Sequence, residues 1–452
     1  MGDVRSVGIL GAGISGLSVA HRLKKLGVSF ILFESDSAVG GKIQTESIGP
    51  NLVEQGPNSL MLKDGKSKEL LRELGLEARV CFPSQKRPAR YICDGEALHK
   101  ISPFTLASFI GPAAMLRILS GGFSRRADSL ESVHEFFKRK MGVGVAERLV
   151  APFVSGIYAG DSHRLIAKTS FPKLFKWDEE FNSFWGALLT RKSGNQDHSK
   201  LPSGICSFPT GLRELPEALY QDVEENVRLN ERVLSLKKTQ QGWCIRTNTG
   251  ETRVSQVVSS LPAPVLANIL EGPDYGELRE KLKGLRYPWI RVLHLAYPKE
   301  NLQNIPRGFG FLNIPGKSLP FLGCLFSSQL FEERAPQSAP YFTLFIGGET
   351  QAHLSTLEVE DSLEDIHQSL QQVLGFRSAL PEVLSSKDWS QGIPQYDEHH
   401  FRFLEFLLEN SPEKYGLFLS SNYIGGISIP ECIESSYATA DKVCKALKKS
   451  TV

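Results

Sequence analysis

The chain has 452 residues and a mass of 50.1 kDa, more than one hydrophobic core can organise, so two or three substructures are expected. Hydrophobic residues make up 41% and charged residues 23%, and the net charge is +2, an ordinary globular composition with no overall argument for nucleic acid. Seven scattered cysteines with no C-x-x-C pair argue against a metal site and for reduced thiols in a cytoplasmic compartment.

Met1 lies close to the first strand, so no signal peptide is expected. No run reaches the ~18 apolar residues of a membrane span. Ser6 to Leu10 reads as a short strand, followed at once by Gly11-Ala12-Gly13-Ile14-Ser15-Gly16. Leu17 to Leu26 has helical spacing and stops at Gly27, and a second strand, Val28 to Phe33, ends at Glu34. This is the G-x-G-x-x-G turn in the strand–turn–helix setting of a dinucleotide site. Gly11 is expected to permit the tight turn, Gly13 to admit a pyrophosphate to the backbone, and Gly16 to let helix pack on strand. Amides at the helix start, Ile14 and Ser15 among them, favour phosphate oxygens. Glu34, with Ser35 beside it, is placed to accept ribose hydroxyls.

That turn alone does not separate NAD from FAD. Gly40-Gly41-Lys42 follows Glu34 after five residues, and Glu54-Gln55-Gly56-Pro57-Asn58-Ser59 comes next. The spacing resembles the large amine-oxidase-like flavoprotein superfamily, in which the Gly-Pro turn lies beside the flavin ring. The resemblance implies FAD, with Gly41, Lys42, Gly56, Pro57, Asn58 and Ser59 around it.

Residues 101–126 carry a dense apolar pattern, including Phe104, Leu116 and Leu119, with Arg117, Arg125 and Arg126 and no acidic residue. Gly111-Pro112 splits the segment into two short helices, suited to a membrane interface or to covering a substrate slot. Thr190 to Lys200 is polar and reads as a mobile loop. Val227 to Leu236, Trp243 to Thr247 and Val254 to Ser260 read as strands. By resemblance the last re-enters the FAD sheet, and Val233 offers its backbone to the adenine. Adjacent His399 and His400 are expected on opposite sides of a strand or turn, without a catalytic role. Leu417 to Ser421 is a further strand, and Glu431 to Leu447 a helix with Pro430 in its first turn. Between them the resemblance puts Asn422, Ile427, Ser428 and Ile429 at the flavin, although many superfamily members have Gly-Asp where Ser421-Asn422 stands here. No cysteine occupies the usual position of a covalent flavin link, so FAD is expected to be dissociable.

Five blocks outside this fingerprint resemble the oxygen-dependent protoporphyrinogen oxidases. They are Val154-Ser155-Gly156-Ile157-Tyr158-Ala159-Gly160-Asp161, Phe208 to Leu219, Gly308 to Leu312, Leu325 to Ser328 running on to Arg334-Ala335-Pro336, and Ile393-Pro394-Gln395-Tyr396. The resemblance implies a porphyrinogen slot walled by Leu312 and Leu325 on one side and Phe345 on the other. Arg90 would pair a propionate, and the Gly156 carbonyl would meet the pyrrole nitrogens. It also implies dioxygen as acceptor and peripheral attachment to the cytoplasmic face of a membrane; a homodimer is left open. No general base, metal cluster or Ser-His-Asp set stands out. Coproporphyrinogen III oxidation is the alternative; an amine oxidase and a non-catalytic flavin scaffold are weaker ones. The expected fold is α/β. A discontinuous Rossmann-type FAD domain spans 1–84, 203–275 and 387–452, a helical insertion 85–202, and an antiparallel substrate sheet 276–386.

Overall fold

The computed structural model describes residues 6–85, 88–120, 128–181, 201–302, 305–317, 319–336 and 340–449. The polar loop at 190–200, together with Phe123, Arg125 and Arg126, lies outside these residues.

The strand Val7–Leu10 is wholly buried and pairs in parallel with Phe30–Phe33 on one side and Gln256–Ser259 on the other. Leu417–Leu419 and Val227–Arg228 complete a five-stranded parallel sheet. Apolar runs such as Val7–Leu10 are what a sheet covered on both faces requires. On one face the helices Ile14–Lys25 and Ile429–Lys449 bury Leu17, Leu23, Ile433 and Tyr437 against Val7 and Ile9. On the other, Trp243 and Ile245 of a four-stranded sheet pack against Leu10 and Val257. The first segment of the chain and its two later returns therefore meet in one layer, and residues 256–259 pair with Val7–Leu10 in that sheet.

A second, seven-stranded sheet runs in the order Glu382–Trp389, Ile290–Ala296, Tyr341–Gly347, Gly323–Leu325, Gly310–Asn313, Arg90–Cys93, Leu98–Lys100. One face buries Leu293, Phe311 and Leu344 beneath Ile366 and Leu370 of the helix Val359–Leu374. Two expectations are corrected here. Residues 90–93 and 98–100 belong to this sheet rather than to the helical insertion, which therefore begins after residue 100. The sheet is mixed, because Arg90–Cys93 runs parallel to Gly310–Asn313. A strand arriving from 220 positions earlier in the chain is free to pair in either direction, since no tight turn dictates it.

The helical region packs Val133–Met141, Ala151–Tyr158 and the pair Pro103–Ile110 and Pro112–Leu119 around Phe136, Val154 and Leu165. Gly111, with a φ of 88°, divides that pair as expected. Ser102 caps the first of them through a reciprocal bond with Thr105. No helix among the described residues is long and apolar enough to cross a membrane. His399 and His400 lie in the first turn of a helix, Glu398–Glu409, not in a strand. Asp397 caps it by accepting from the His400 amide, a start that sequence periodicity alone did not reveal.

Candidate cofactor and substrate site

The turn after Val7–Leu10 is built from its glycines. Gly11 has a φ of +93°, and a Cβ on Gly16 would stand 1.9 Å from the Gly11 carbonyl oxygen. Helix and strand approach that closely only without a side chain at Gly16. Gly13 differs: a Cβ there would meet nothing within 4 Å, so its bare backbone faces open space. No side chain caps the helix Ile14–Lys25, and its first turn holds no acidic residue. The free amides at that end suit an anion.

Other segments converge on the same opening. Gly40 donates to the Ala12 carbonyl at 2.9 Å, and Gly41 stacks against the Gly13 backbone. Gly56 packs on the Lys42 carbonyl, which brings the Gly56-Pro57 turn onto the Gly-Gly-Lys block. The Glu34 carboxylate accepts from the Ala12 amide at 2.6 Å and the Asp36 amide at 3.0 Å, with the Ser35 hydroxyl at 3.1 Å. It is fixed in place, with lone pairs left for a ribose. Lys42 sits 5.8 Å over the Tyr287 ring, and burial pushes its ammonium down to about 8 with no carboxylate acting on it. A half-buried cation with no carboxylate beside it fits the phosphates of a dinucleotide. Cys432, at the start of the C-terminal helix, donates to the Gly426 carbonyl and lies near enough to Ser15 and Lys42 to feel both, so both helix starts border this opening. The amide nitrogen of Asn58 is buried without a partner.

Three expected contacts have structural duties as well. The Ser428 hydroxyl donates to Glu431 at 2.6 Å and forms a capping box for its helix, leaving Ile427 and Ile429 to offer backbone and side chain. The Asn422 carbonyl accepts from the Tyr396 hydroxyl. Val233 opens a strand with an irregular register at Val233/Ser235. His400 bonds the Tyr423 carbonyl at 2.8 Å and stacks on Tyr396 at 4.0 Å, and burial lowers it to about 4.

The face of the seven-stranded sheet opposite the helix Val359–Leu374 carries the expected substrate residues. Cross-strand register aligns Arg90, Gly310, Leu325, Thr343 and His294 in one row, and Ile92, Leu312, Gly323, Phe345 and Val292 in the next. Rows two residues apart share a face, so Arg90, Leu312, Leu325 and Phe345 look the same way. Glycine in each row keeps the shelf shallow. Arg90 is exposed at the end of its row with its guanidinium 5.7 Å from the Phe309 ring. Gly156 closes the other side: a Cβ there would stand 2.3 Å from Leu312 Cδ2. Its helix ends at Ala159, which is left-handed at φ 49°, and both Ala159 and Gly160 amides turn back to the Val154 carbonyl. The Gly160 amide thereby passes over the Gly156 carbonyl, its partner in a continuing helix.

Sequence reasoning missed what joins the two halves. Glu54 and Arg334 form a buried ion pair at 1% and 2% exposure, and Arg334 also donates to the Asn58 carbonyl at 3.2 Å and to Ser207 at 2.7 Å. Thr45 and the Leu212 amide complete the bonds to Glu54 at 2.6 and 2.8 Å. Removing one partner of such a pair costs about 3–5 kcal/mol. Both residues stand inside blocks noted for their family resemblance, but nothing local in either block pairs them. Among the described residues no group of His, Cys, Asp and Glu is arranged to hold a metal.

A family model for flavin-containing amine oxidoreductases matches residues 14–444. The chain belongs to that family. It is an FAD-dependent oxidoreductase, as the family and its relatives support. The chloroplastic protoporphyrinogen oxidase of Oryza sativa subsp. japonica is 30% identical over 98% of this chain and 88% of its own length. The coproporphyrinogen III oxidase of Bacillus subtilis (strain 168) is 26% identical over 96% of this chain and 97% of its own. A crystal structure from Exiguobacterium sp. 255-15 superposes with a TM-score of 0.80 at 21% identity, covering 98% of this chain and 99% of the other. That likeness shows the shared fold.

Proposed function

We propose that the protein oxidises protoporphyrinogen IX to protoporphyrin IX, with dissociable FAD as the immediate acceptor and dioxygen as the final one. The observation that carries this reading is the shelf of Leu312, Leu325 and Phe345, with one cation, Arg90, at its edge. A largely apolar macrocycle with its carboxylates along one edge matches that distribution of charge. A flavin held by the Gly11–Gly16 turn, Lys42 and the Gly56-Pro57 turn would supply the redox chemistry, as a two-electron acceptor for each of the three oxidations of the ring.

The chain's own residues hold and orient. Arg90 has no carboxylate partner among the described residues, which leaves its planar guanidinium free for a propionate. The apolar shelf excludes water and holds the ring in one orientation. The Gly156 carbonyl, at the negative end of its helix, accepts from pyrrole N–H groups and favours positive charge developing in the ring. Lys42 and the start of the helix Ile14–Lys25 hold the FAD phosphates, and Glu34 the ribose.

Coproporphyrinogen III is the second reading, favoured by the Bacillus relative's end-to-end match. The helices Pro103–Ile110 and Pro112–Leu119 support contact with one membrane leaflet, since Phe104 is 95% and Leu116 69% exposed. The enzymatic reading is tested by dioxygen consumption on adding protoporphyrinogen IX to the yellow protein. A rate above the spontaneous one is expected; the spontaneous rate alone would leave a flavin-binding scaffold.

A further inference from the structure

His294 is fully buried at the far end of the shelf's first row from Arg90, beside Thr343 and two strands from Leu325. Its Nε2 lies 3.1 Å from the Glu54 carbonyl and its Nδ1 3.0 Å from the Thr343 hydroxyl, which in turn lies 2.7 Å from that of Ser327. A carbonyl only accepts, so Nε2 must carry the proton, Nδ1 must accept from Thr343, and Thr343 must accept from Ser327. The order of donors is fixed from end to end. Burial drives His294 down to about 3, with the Arg334 charge adding to the effect, so the neutral imidazole that this order needs persists at working pH.

The two ends of the chain of bonds are different parts of the molecule. Thr343 belongs to the substrate shelf, and Ser327 opens the short helix Ser327–Leu330 that follows the strand Gly323–Leu325. Glu54 begins the turn Glu54-Gln55-Gly56-Pro57-Asn58, whose Gly56 rests on Lys42. Glu54 is held from its other side by Arg334, Thr45 and the Leu212 amide. His294 is thus a strut between the wall that holds the substrate and the turn assigned to the flavin.

We infer that His294 is a positioning residue for the oxidation, setting the separation between the Leu325–Phe345 wall and the Gly56-Pro57 turn. The inference rests on the shelf and flavin assignments of the preceding section. Hydride transfer is steep in distance, and a displacement near 1 Å from a remote change costs up to about a hundredfold in rate. Binding of each ligand rests on other residues, so the effect belongs in kcat.

The test compares His294→Leu, which removes both bonds, with His294→Gln, whose side-chain amide can still donate to the Glu54 carbonyl. Three quantities are read: FAD content, the visible circular dichroism of bound flavin, and kcat and KM with protoporphyrinogen IX. His294→Leu is expected to keep full FAD and a KM within about twofold while kcat falls at least about tenfold and the flavin signal shifts. His294→Gln restores both by more than half. Thr343→Val, nearly isosteric, gives the same split if His294→Leu fails to fold. An unchanged kcat and flavin signal in the folded variant would overturn the inference, as would an equal loss in the Leu and Gln variants. If the parent oxidises no porphyrinogen, the substrate reading fails, while the flavin signal still decides the role of His294.

Discussion

Gly13 and Lys42 make the cofactor claim testable one side chain at a time. Gly13 faces open space and strains nothing, so Gly13→Leu should fold, yet it should block backbone approach to the pyrophosphate. Purified Gly13→Leu is expected to be colourless, and a stoichiometric flavin spectrum would contradict the assignment. Lys42, lowered to about 8, gives a signed pH dependence. Without FAD the folded state prefers the neutral amine, so its stability rises between about 8 and the ordinary lysine value of about 10.4. Phosphate binding needs the cation, so FAD affinity should hold below pH 8 and weaken above it, by at most about tenfold per pH unit. FAD titrations from pH 7 to 9 read this directly, and Lys42→Met should remove that slope. Arg90, exposed and without a carboxylate partner, predicts the third outcome: Arg90→Ala raises KM for the porphyrinogen severalfold with FAD content intact. Unchanged kinetics would make it a surface arginine. The glycine turn and the Gly-Gly-Lys block were legible because their geometry is local. The ion pair of Glu54 with Arg334 spans 280 positions, and the contact of His294 with Glu54 spans 240. No short-range pattern encodes either, and a lone histidine in an apolar strand gives no sign of its partner.

Among the elements, the paired helices Pro103–Ile110 and Pro112–Leu119 carry the sharpest question. Each buries little of itself: Phe109, Ile110 and Ala114 turn inward, while Phe104, Leu116 and Leu119 face out. Ridges of this kind insert shallowly into an interface. Flotation with anionic vesicles at low salt should recover the protein in the lipid fraction, and the double change Phe104→Ser, Leu116→Ser should leave it at the bottom. Parent protein that stays at the bottom would contradict membrane contact. The split at Gly111-Pro112 was readable because proline and glycine punctuate helices locally. The strand Arg90–Cys93 was not assigned to its sheet, because its neighbour Gly310–Asn313 comes from the other end of the substrate region. That correction also explains how Arg90 comes to stand in one row with Leu325.

On the scale of the whole molecule, one parallel sheet is assembled from residues 7–10, 30–33, 227–228, 256–259 and 417–419. A dinucleotide at the proposed site would tie these distant parts of the chain together, and the buried pair of Glu54 and Arg334 joins the first part of the chain to residues beside the seven-stranded sheet. The proposed apolar shelf, with a cation at its edge, is tied to the proposed cofactor turn through His294 and Glu54, and this is the basis for the proposed porphyrinogen substrate. The most direct test supplies protoporphyrinogen IX and coproporphyrinogen III separately to the flavin-loaded protein and follows the absorption and fluorescence of each product. The structure predicts rapid formation of protoporphyrin IX, with kcat/KM for protoporphyrinogen IX at least about tenfold above that for the four-carboxylate ring, since one edge cation serves one carboxylate edge. Coproporphyrin III as the preferred product would contradict the assigned substrate, and no porphyrin above the spontaneous rate would contradict the central claim itself.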